Sequence, residues 1–261
     1  MSTTTPEMHV THWGDTGPTV VMVHGSAQGS QVGGDRHFAK QKELVAQGWQ
    51  VLLPDRPGHG KSPDPGRPDD ADADGALVAE LLGDGAHLVG HSFGGAVALA
   101  AAAQRPEAVR SLTLIEPAMQ LFAMDDPEVR KMGLKVVSTL FLTFNPTKRL
   151  NKFMEIVKMP PEIREASDSA ENAAIGRSLR KLKMPNKKAI AKQLDIVRDN
   201  DIPLLLVSGS WSDRMQRIGT KVADAGGGRM EIIRSDHHFP QLVSDEFNTM
   251  LVEHMTAADA R

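Results

Sequence analysis

Short runs of apolar, often β-branched residues recur in both parts of the chain and predict buried strands. Before residue 118 these runs lie at 19–25, 49–55, 86–91 and 111–117, and after residue 201 they return at 202–210 and 229–235. Helical periodicity fills most of the intervals, as in 38–49, which Gly48 closes. Strands and helices alternate in this way when a parallel sheet carries helices on both faces. The pattern therefore predicts an α/β protein with a mostly parallel central sheet.

The strand pattern is absent from residues 118–201, which are rich in Met, Lys and Leu and have a helical periodicity interrupted by prolines. In open α/β sheets, ligands bind beyond the carboxyl ends of the strands, and an inserted segment can cover this edge. We therefore predict a helical cap, residues 118–201, inserted after the sixth strand. The core domain then consists of residues 1–117 and 202–261.

Composition narrows the class of protein without identifying it. The 261 residues are 40% hydrophobic and 24% charged, as in globular domains, and they include no cysteine for a disulfide or a thiolate site. No apolar run reaches the roughly 20 residues that span a bilayer, and the first residues lack the features of a secretory signal. We therefore expect a cytoplasmic protein, a monomer or a homodimer, with no membrane partner.

Charge is unevenly distributed between the two predicted domains. The net charge is −3, but residues 118–200 hold 16 Lys and Arg against 10 Asp and Glu, a formal +6 that leaves −9 for the rest. Solvated helix faces account for this excess, and steering of acidic substrates is the alternative. The chain has neither a glycine-rich phosphate loop nor a stripe of aromatic and basic residues, so we expect no nucleic-acid partner.

A serine stands where the strand at 86–91 gives way to an alanine-rich helix, within the sequence Gly90-His91-Ser92-Phe93-Gly94. A strand that turns this sharply into a helix leaves no room for side chains on either side of the serine, which explains the glycines. The turn lifts the hydroxyl clear of the sheet and directs the free N–H groups of the helix N-terminus towards the atom that it attacks. Ser92 is therefore the predicted nucleophile.

A serine nucleophile needs a base that removes its proton and donors that stabilise an oxyanion. The backbone N–H of Ser26, at the end of the strand at 19–25, and the N–H of Phe93 are the predicted pair of donors. The base is expected after the last strand, where His237 and His238 stand. We expect no metal ion and no cofactor.

Four motifs give the chain a resemblance to a known family: HGS at 24–26, PDRPGHGKS at 54–62, GHSFGG at 90–95 and HHFP at 237–240. In this order and spacing the chain resembles the α/β-hydrolase fold superfamily, and within it the serine hydrolases with a helical cap, over nearly its whole length. The resemblance implies the α/β-hydrolase fold. It also places His238, rather than His237, at the position of the catalytic base.

The catalytic acid departs from the usual family pattern. Most relatives carry it as G-x-x-D after the strand that reads PLLLVSG here, whereas this chain has Ser212 at that place and Asp213 one residue later. Haloalkane dehalogenases and some lactone hydrolases of this fold place the acid at the end of the preceding strand, where Glu116 stands. Because the two strand ends converge on one corner of the sheet, either carboxylate could reach the imidazole. We favour Glu116 and keep Asp213 as the alternative.

The expected function combines this machinery with an apolar pocket. Met and Phe side chains suit an adaptable apolar pocket, and the predicted substrate contacts are Gly25, Met119, Phe122, Phe141 and Met154. We expect a hydrolase that cleaves a small apolar ester-like substrate, namely a carboxylic ester, lactone or thioester, through an acyl-enzyme intermediate. A C–C bond hydrolase, a lyase or cyclase on the same scaffold, and a ligand-binding receptor are the alternatives.

Overall fold

The computed structural model describes residues 8–160, 163 and 169–261. Within these residues, seven strands form one sheet in the order β1-β3-β2-β4-β5-β6-β7, in which β1 is antiparallel to β3 and the other pairs are parallel. The strands are β1 (Val10–Trp13), β2 (Thr19–Val23), β3 (Gln50–Pro54), β4 (Ala86–His91), β5 (Val109–Ile115), β6 (Leu204–Gly209) and β7 (Arg229–Ile233). The predicted α/β fold with a mostly parallel sheet is confirmed.

Helices cover both faces of this sheet, and the cap helices lie beyond the carboxyl ends of its strands. The core helices are α1 (Gly34–His37), α2 (Ala71–Glu80), α3 (Phe93–Gln104), α7 (Lys187–Asp199), α8 (Asp213–Gly226) and α9 (Asp245–Asp259). The cap contains α4 (Pro127–Leu142), α5 (Pro146–Ile156) and α6 (Ser169–Ser178). Short 3₁₀ segments lie at Ala39–Gln47, Pro106–Ala108, Gln120–Ala123 and Pro240–Leu242. None of the described helices is long and apolar enough to span a bilayer.

Two apolar cores lie on opposite faces of the sheet. Because successive side chains of a strand point to opposite faces, Val21 and Val23 of β2 pack with α2, α3, α7 and α8, while Val20 and Met22 pack with α9 and the 3₁₀ segment 39–47. The inner strands are buried almost throughout, whereas the edge strands β1 and β7 are partly exposed. This burial explains why the inner strands read as continuous apolar runs.

The cap helices begin at clear sequence signals. The side chains of Asp126 and Asn145 accept backbone N–H bonds at the starts of α4 and α5. Pro127 and Pro146 occupy the first position of these helices, where a missing N–H is not needed. Two of the prolines that interrupt the helical periodicity, Pro127 and Pro146, therefore start helices. The interior of the cap is an apolar cluster formed by Ala27, Leu150, Met154, Ile175 and Leu179.

The position and extent of the cap differ from the sequence prediction in two respects. The insertion follows the fifth described strand rather than the sixth, because a single antiparallel strand, β1, precedes the parallel strands β2–β5. In addition, α7 lies inside the range 118–201 but packs against α3 and α8. Ile190, Leu194 and Val197 of this helix are buried in the same cluster as the sheet residues. The apolar face of α7 therefore belongs to the core domain.

Four further elements were not predicted in the form that the structure shows. The segment 39–47 is a 3₁₀ helix rather than an α-helix, and its buried residues, Gln41 and Leu44, have the three-residue spacing of that geometry. Helix α2 begins at Ala71, within the Asp-rich loop, because the Asp70 side chain caps it there. Strand β1 and helix α8 were not predicted, since both lie in polar stretches.

Candidate active site

Three predicted site residues lie beyond the carboxyl ends of neighbouring parallel strands, and all three have a strained backbone. Ser26 follows β2, Ser92 follows β4 and Glu116 follows β5, with φ angles of 81°, 56° and 41°. A positive φ in a residue other than glycine costs roughly 1–3 kcal/mol and occurs most often at functional sites. The strain therefore marks the same edge of the sheet as the sequence motifs.

Ser92 occupies the turn between β4 and α3. It is the N-cap residue of α3, but its side chain accepts no helix N–H, which leaves Oγ available. A Cβ atom on Gly90 would lie 2.4 Å from the Gly94 carbonyl oxygen, and one on Gly94 would lie 2.2 Å from the Val23 carbonyl oxygen. The close packing of strand and helix therefore requires both glycines.

A hydrogen-bonded pair of His238 and Glu116 lies next to this turn. Nδ1 of His238 is bonded to Oε2 of Glu116, whose side chain is fully buried. The other carboxylate oxygen, Oε1, accepts the backbone N–H of Gly209 at 2.8 Å and the indole N–H of Trp211 at 2.7 Å. Asp213 is instead the exposed first residue of α8. The geometry favours Glu116 over Asp213 as the acid that orients His238.

The two predicted oxyanion donors are also at this edge. The backbone N–H groups of Ser26 and Phe93 have no acceptor among the described residues, and both residues line the same cavity as Ser92. Gly25, a predicted substrate contact, does not line that cavity. A Cβ atom on Gly25 would lie 2.7 Å from Cβ of Ser92. Gly25 therefore allows the Ser26 loop to approach the serine.

Arg56, a fully buried residue of the motif at 54–62, holds this loop in place. Its Nε donates to the carbonyl of His24 at 3.0 Å, and its Nη2 donates to the carbonyls of Gly25 and Ser26 at 3.2 and 3.1 Å. The guanidinium carbon lies 4.8 Å from the centre of the Phe93 ring. Arg56 therefore contacts both residues that carry the predicted oxyanion donors.

Two buried carboxylates balance the charge of Arg56. Asp69 and Asp74 lie 2.7 and 2.9 Å from its Nη1, and Arg67 forms a second contact with Asp74 at 2.6 Å. Burial raises the pKa of Asp74, while the two arginines oppose that shift. A charge buried this deeply is tolerated because it is paired and hydrogen-bonded.

Four buried histidines form a row of rings that leads to His238. This histidine row is His59, His24, His37 and His91; successive ring centroids are 5.1, 5.2 and 6.3 Å apart, and His91 lies 4.8 Å from His238. Burial lowers the pKa of all four well below the usual histidine value. These rings are therefore neutral at neutral pH.

Hydrogen bonds determine the tautomers of two members of the row. Nε2 of His24 accepts the backbone N–H of Arg56 at 3.0 Å, so its proton is on Nδ1, which donates to the Gly25 carbonyl at 2.7 Å. Nε2–H of His91 donates to the backbone carbonyl of His238 at 2.8 Å. These neutral rings support the backbone on both sides of the site.

A cavity of about 210 Å³ lies between the strand ends and the cap. Ser92 and His238 line it together with Ser26 and Phe93. The rest of the wall is mostly apolar and comes chiefly from the cap, with Leu121, Met124, Val136, Val137, Leu140, Phe141, Phe153, Val157, Met159, Leu182 and Met184.

Of the four predicted substrate contacts at 118–201, Phe141 alone lines this cavity. Met119 and Phe122 do not line it, because the 3₁₀ turn Gln120–Ala123 packs on α7 and α8 and both side chains are buried in the core of the sheet. Met154 lines a smaller adjoining cavity of about 40 Å³ and packs in the cap interior. The cap helices therefore place only part of their apolar residues against the candidate substrate.

Three site residues had no predicted role. Arg56 carried a signal, since it lies inside a recognised motif and is followed by an Asp-rich loop. Trp211 adjoins the strand end where the acid is usually found, but no pattern shows that its indole would bind Glu116. His37, which is 2% exposed and lines the cavity beside Ser26, is marked by no motif. Across the described ranges, no group of three or more His, Asp or Glu side chains is arranged to hold a metal ion.

A mostly parallel sheet with a strained serine at one strand end, a Glu–His pair beside it and a helical insertion above both defines an α/β-hydrolase fold. Comparison with known proteins agrees with this class. The profile of the alpha/beta hydrolase family matches residues 20–249, and the chain belongs to that family.

Individual relatives cover smaller parts of the chain. Lipase LipV of Mycobacterium tuberculosis is 37% identical over 131 residues, which are 48% of this chain and 46% of that protein. A 2-hydroxy-6-oxononadienedioate/2-hydroxy-6-oxononatrienedioate hydrolase of Klebsiella pneumoniae is 35% identical over 162 residues, 58% of this chain and 54% of that protein. The matched part thus spans about half the length of these relatives.

Solved structures extend the similarity to nearly the whole chain. The structure of 2-hydroxy-6-oxo-6-phenylhexa-2,4-dienoate hydrolase (BphD) from Rhodococcus sp. strain RHA1 matches with a TM-score of 0.71 at 20% identity, covering 95% of this chain and 94% of that chain. At this identity the match shows the shared fold. The shared fold does not determine the reaction of this protein, which depends on its site.

Proposed function

We propose that the protein is a serine hydrolase that cleaves an apolar carboxylic ester, lactone or thioester through an acyl-enzyme intermediate. The observation that supports this most directly is that Ser92 and His238, the latter bonded to Glu116, line one largely apolar cavity. The similarity to Lipase LipV also supports an ester substrate.

In the proposed reaction, the same residues act in both steps, the formation and the hydrolysis of the acyl-enzyme. Nε2 of His238 removes the proton of Ser92 Oγ, which attacks the acyl carbon, and the N–H groups of Ser26 and Phe93 stabilise the resulting oxyanion. The tetrahedral intermediate collapses, and His238 returns the proton to the leaving alcohol or thiol. His238 then activates a water molecule, whose attack releases the carboxylic acid and restores Ser92. The carboxylate of Glu116 orients the imidazole and stabilises its charged form.

The buried support of the oxyanion loop strengthens the proposal. Preorganised N–H donors contribute more than mobile ones, and removing one donor typically lowers the rate about 10²–10³-fold. Here the backbone carbonyl of Ser26 is bonded to the buried cation Arg56, and a Cβ atom on Gly25 would already crowd Ser92. The donors are therefore fixed before substrate binds, as this chemistry requires.

The nucleophile can be tested with a fluorophosphonate, which reacts only with an activated serine. We expect one adduct on the intact wild-type chain, measured by mass spectrometry, and none on Ser92→Ala. Ser138→Ala is the matched control, because this serine lies exposed on α4 and its hydroxyl contacts only its own helix. An adduct that persists on folded Ser92→Ala would exclude Ser92 as the nucleophile.

Carbon–carbon bond hydrolysis is the second candidate, and the similarity to the Klebsiella hydrolase supports it. The same serine, base and oxyanion donors would act on a ketone carbon, and the leaving group would be a carbanion stabilised by conjugation. Turnover of a nitrophenyl ester should be compared with turnover of a 2-hydroxy-6-oxodienoate. If only the dienoate is cleaved, the ester proposal is wrong. Solvent ¹⁸O in the acid product distinguishes either hydrolysis from a lyase reaction.

A further inference from the structure

An unusual concentration of exposed apolar side chains lies on one part of the cap. Five of the seven most exposed large apolar residues in the described chain belong to α4 and the turn after it. We call these five the apolar strip: Leu134, Val137, Phe141, Leu142 and Phe144, which are 59, 48, 48, 71 and 83% exposed. Residues 134, 137 and 141 have the spacing of one helix face. Scattered exposed apolar residues are normal, but a contiguous strip marks an interaction surface.

Positive charge surrounds the apolar strip. Between Glu128 and Glu155 the chain contains six Lys or Arg and no Asp or Glu. Lys131 and Lys135 are exposed on α4 and form no ion pair with a described residue, and the Arg180 guanidinium lies 5.9 Å from the centre of the Phe141 ring. The strip is thus an apolar surface with a cationic border.

The acidic residues before α4 do not neutralise this border. Asp125, Asp126 and Glu128 instead form ion pairs with Lys221, Arg217 and Arg214 of α8. These pairs connect the start of α4 to the core domain, and the three carboxylates are thereby already paired with cations. The cations farther along α4 therefore remain available to an anionic partner.

The apolar strip also reaches the cavity of the candidate active site. Val137 and Phe141 belong to the strip and line the cavity that contains Ser92. Among the described residues that line this cavity, Arg180, beside Phe141, is the single Lys or Arg. An apolar molecule held in a lipid layer against the strip would meet the cavity without crossing water.

We propose that the apolar strip docks the protein onto an anionic lipid surface, so that apolar substrate enters the cavity from the lipid. Apolar side chains inserted into the interface and cations near anionic headgroups are the two contributions that hold peripheral proteins on membranes. A second copy of the chain fits less well, because an isologous contact would place like-charged borders against each other. This proposal departs from the sequence expectation of no membrane partner, which rested on the lack of an apolar run long enough to span a bilayer.

The test measures sedimentation with vesicles of phosphatidylcholine alone and of phosphatidylcholine mixed with phosphatidylglycerol. The wild type should bind the mixed vesicles more strongly than the neutral ones. The triple variant Leu134→Ser/Leu142→Ser/Phe144→Ser should lower the partition coefficient about tenfold or more. Lys131→Gln/Lys135→Gln should lose most of the preference for phosphatidylglycerol. Ile232→Ser, which removes an exposed apolar residue (52%) from β7, is the control and should bind like the wild type.

Two readouts keep this proposal separate from the proposed function. None of the three residues changed in the triple variant lines the cavity, so turnover of a water-soluble ester should equal that of the wild type and shows that the variant is folded. Vesicle binding is measured without substrate and does not depend on the reaction. Equal binding by the wild type and the folded triple variant would overturn the proposal. A concentration-dependent dimer that the triple variant abolishes would also overturn it, since a second copy would then cover the strip.

Discussion

Replacing Glu116 by glutamine changes the group that faces His238 while it preserves the shape of the side chain. In the wild type, Oε1 accepts two N–H bonds, at 2.8 Å from Gly209 and 2.7 Å from Trp211, and Oε2 is bonded to Nδ1 of His238. The amide oxygen of glutamine would take the Oε1 position, because two donors point there. Its NH₂ group would then face Nδ1 of the histidine.

This reversal changes the tautomer of His238. Nδ1 would have to accept a hydrogen bond, so the ring proton would move to Nε2, which could then no longer take the proton of Ser92. In a serine protease the equivalent change lowers kcat about 10⁴-fold, or roughly 5.5 kcal/mol. We expect a loss of this size in Glu116→Gln, with a melting temperature close to that of the wild type because both N–H bonds to the side chain remain.

The matched control is Asp213→Asn, which alters an exposed carboxylate at the start of α8. This variant should keep kcat within about twofold of the wild type, because the side chain does not contact the imidazole. The assay is steady-state hydrolysis of a soluble nitrophenyl ester by protein whose folding is checked by circular dichroism. A Glu116→Gln activity within about tenfold of the wild type, or a larger loss in Asp213→Asn, would refute the reasoning.

Three further predictions concern the groups that support the site. Arg56→Met leaves two buried carboxylates without their cation, so we expect urea denaturation to show a loss of about 3–5 kcal/mol in the free energy of unfolding. The buried histidine row is neutral in the folded protein and takes up protons on unfolding, so its contribution to the free energy of unfolding is fully present above the ordinary histidine pKa of about 6.5. Below that pH the contribution falls by up to ~1.4 kcal/mol per pH unit for each ring. Thermal melting at decreasing pH measures this loss. Gly25→Ala places a methyl group 2.7 Å from Cβ of Ser92, so kcat/KM of a soluble ester should fall about 10²-fold through misplacement of the oxyanion loop.

Each of these three predictions has an outcome that would contradict it. Arg56→Lys is the control for the arginine, since it keeps the charge and should lose less stability than Arg56→Met. A melting temperature that does not change between about pH 7 and pH 5 would show that the buried rings are not held neutral. Full activity of Gly25→Ala would show that the loop can move away from the serine at no cost.

The parts of the fold that the sequence predicts are those encoded locally. A buried inner strand is apolar throughout, a helix N-terminus carries its own capping residue, and the sharp turn at Ser92 excludes side chains from Gly90 and Gly94. Most of these constraints act within a few residues, so one stretch of sequence records them. Gly94 is the exception, since a Cβ atom there would lie 2.2 Å from the Val23 carbonyl oxygen on another strand. Strand β1 escaped prediction because its side chains are partly exposed. Helix α8 is polar on average but has a regular apolar face, with Met215, Ile218 and Val222 buried at helical spacing, and this signal was present in the sequence.

The packing partners of the apolar side chains in the cap are not encoded locally. Helical periodicity identifies which side of a helix is apolar, but not whether that side meets the sheet, another cap helix or the cavity. Met119 and Phe122 are as apolar as Phe141, yet they pack into the core because the turn that contains them lies against α7 and α8. Helix α7 is assigned to the cap by its place in the sequence and to the core by its contacts. Only tertiary packing determines which of these apolar residues line the cavity and which are buried in the core.

The strained backbone of Glu116 is another feature that the local sequence does not predict. Glu116 has a φ of 41°, a conformation that favours glycine. Its backbone N–H is bonded to the Val207 carbonyl at 2.9 Å, and its carboxylate accepts the N–H of Gly209, so the neighbouring strand β6 holds it at both ends. Glycine at this position would relieve the strain but would leave His238 and two N–H donors without their acceptor. The strained conformation places the Glu116 carboxylate on Nδ1 of His238, and this geometry favours Glu116 over Asp213, the exposed first residue of α8, as the predicted acid.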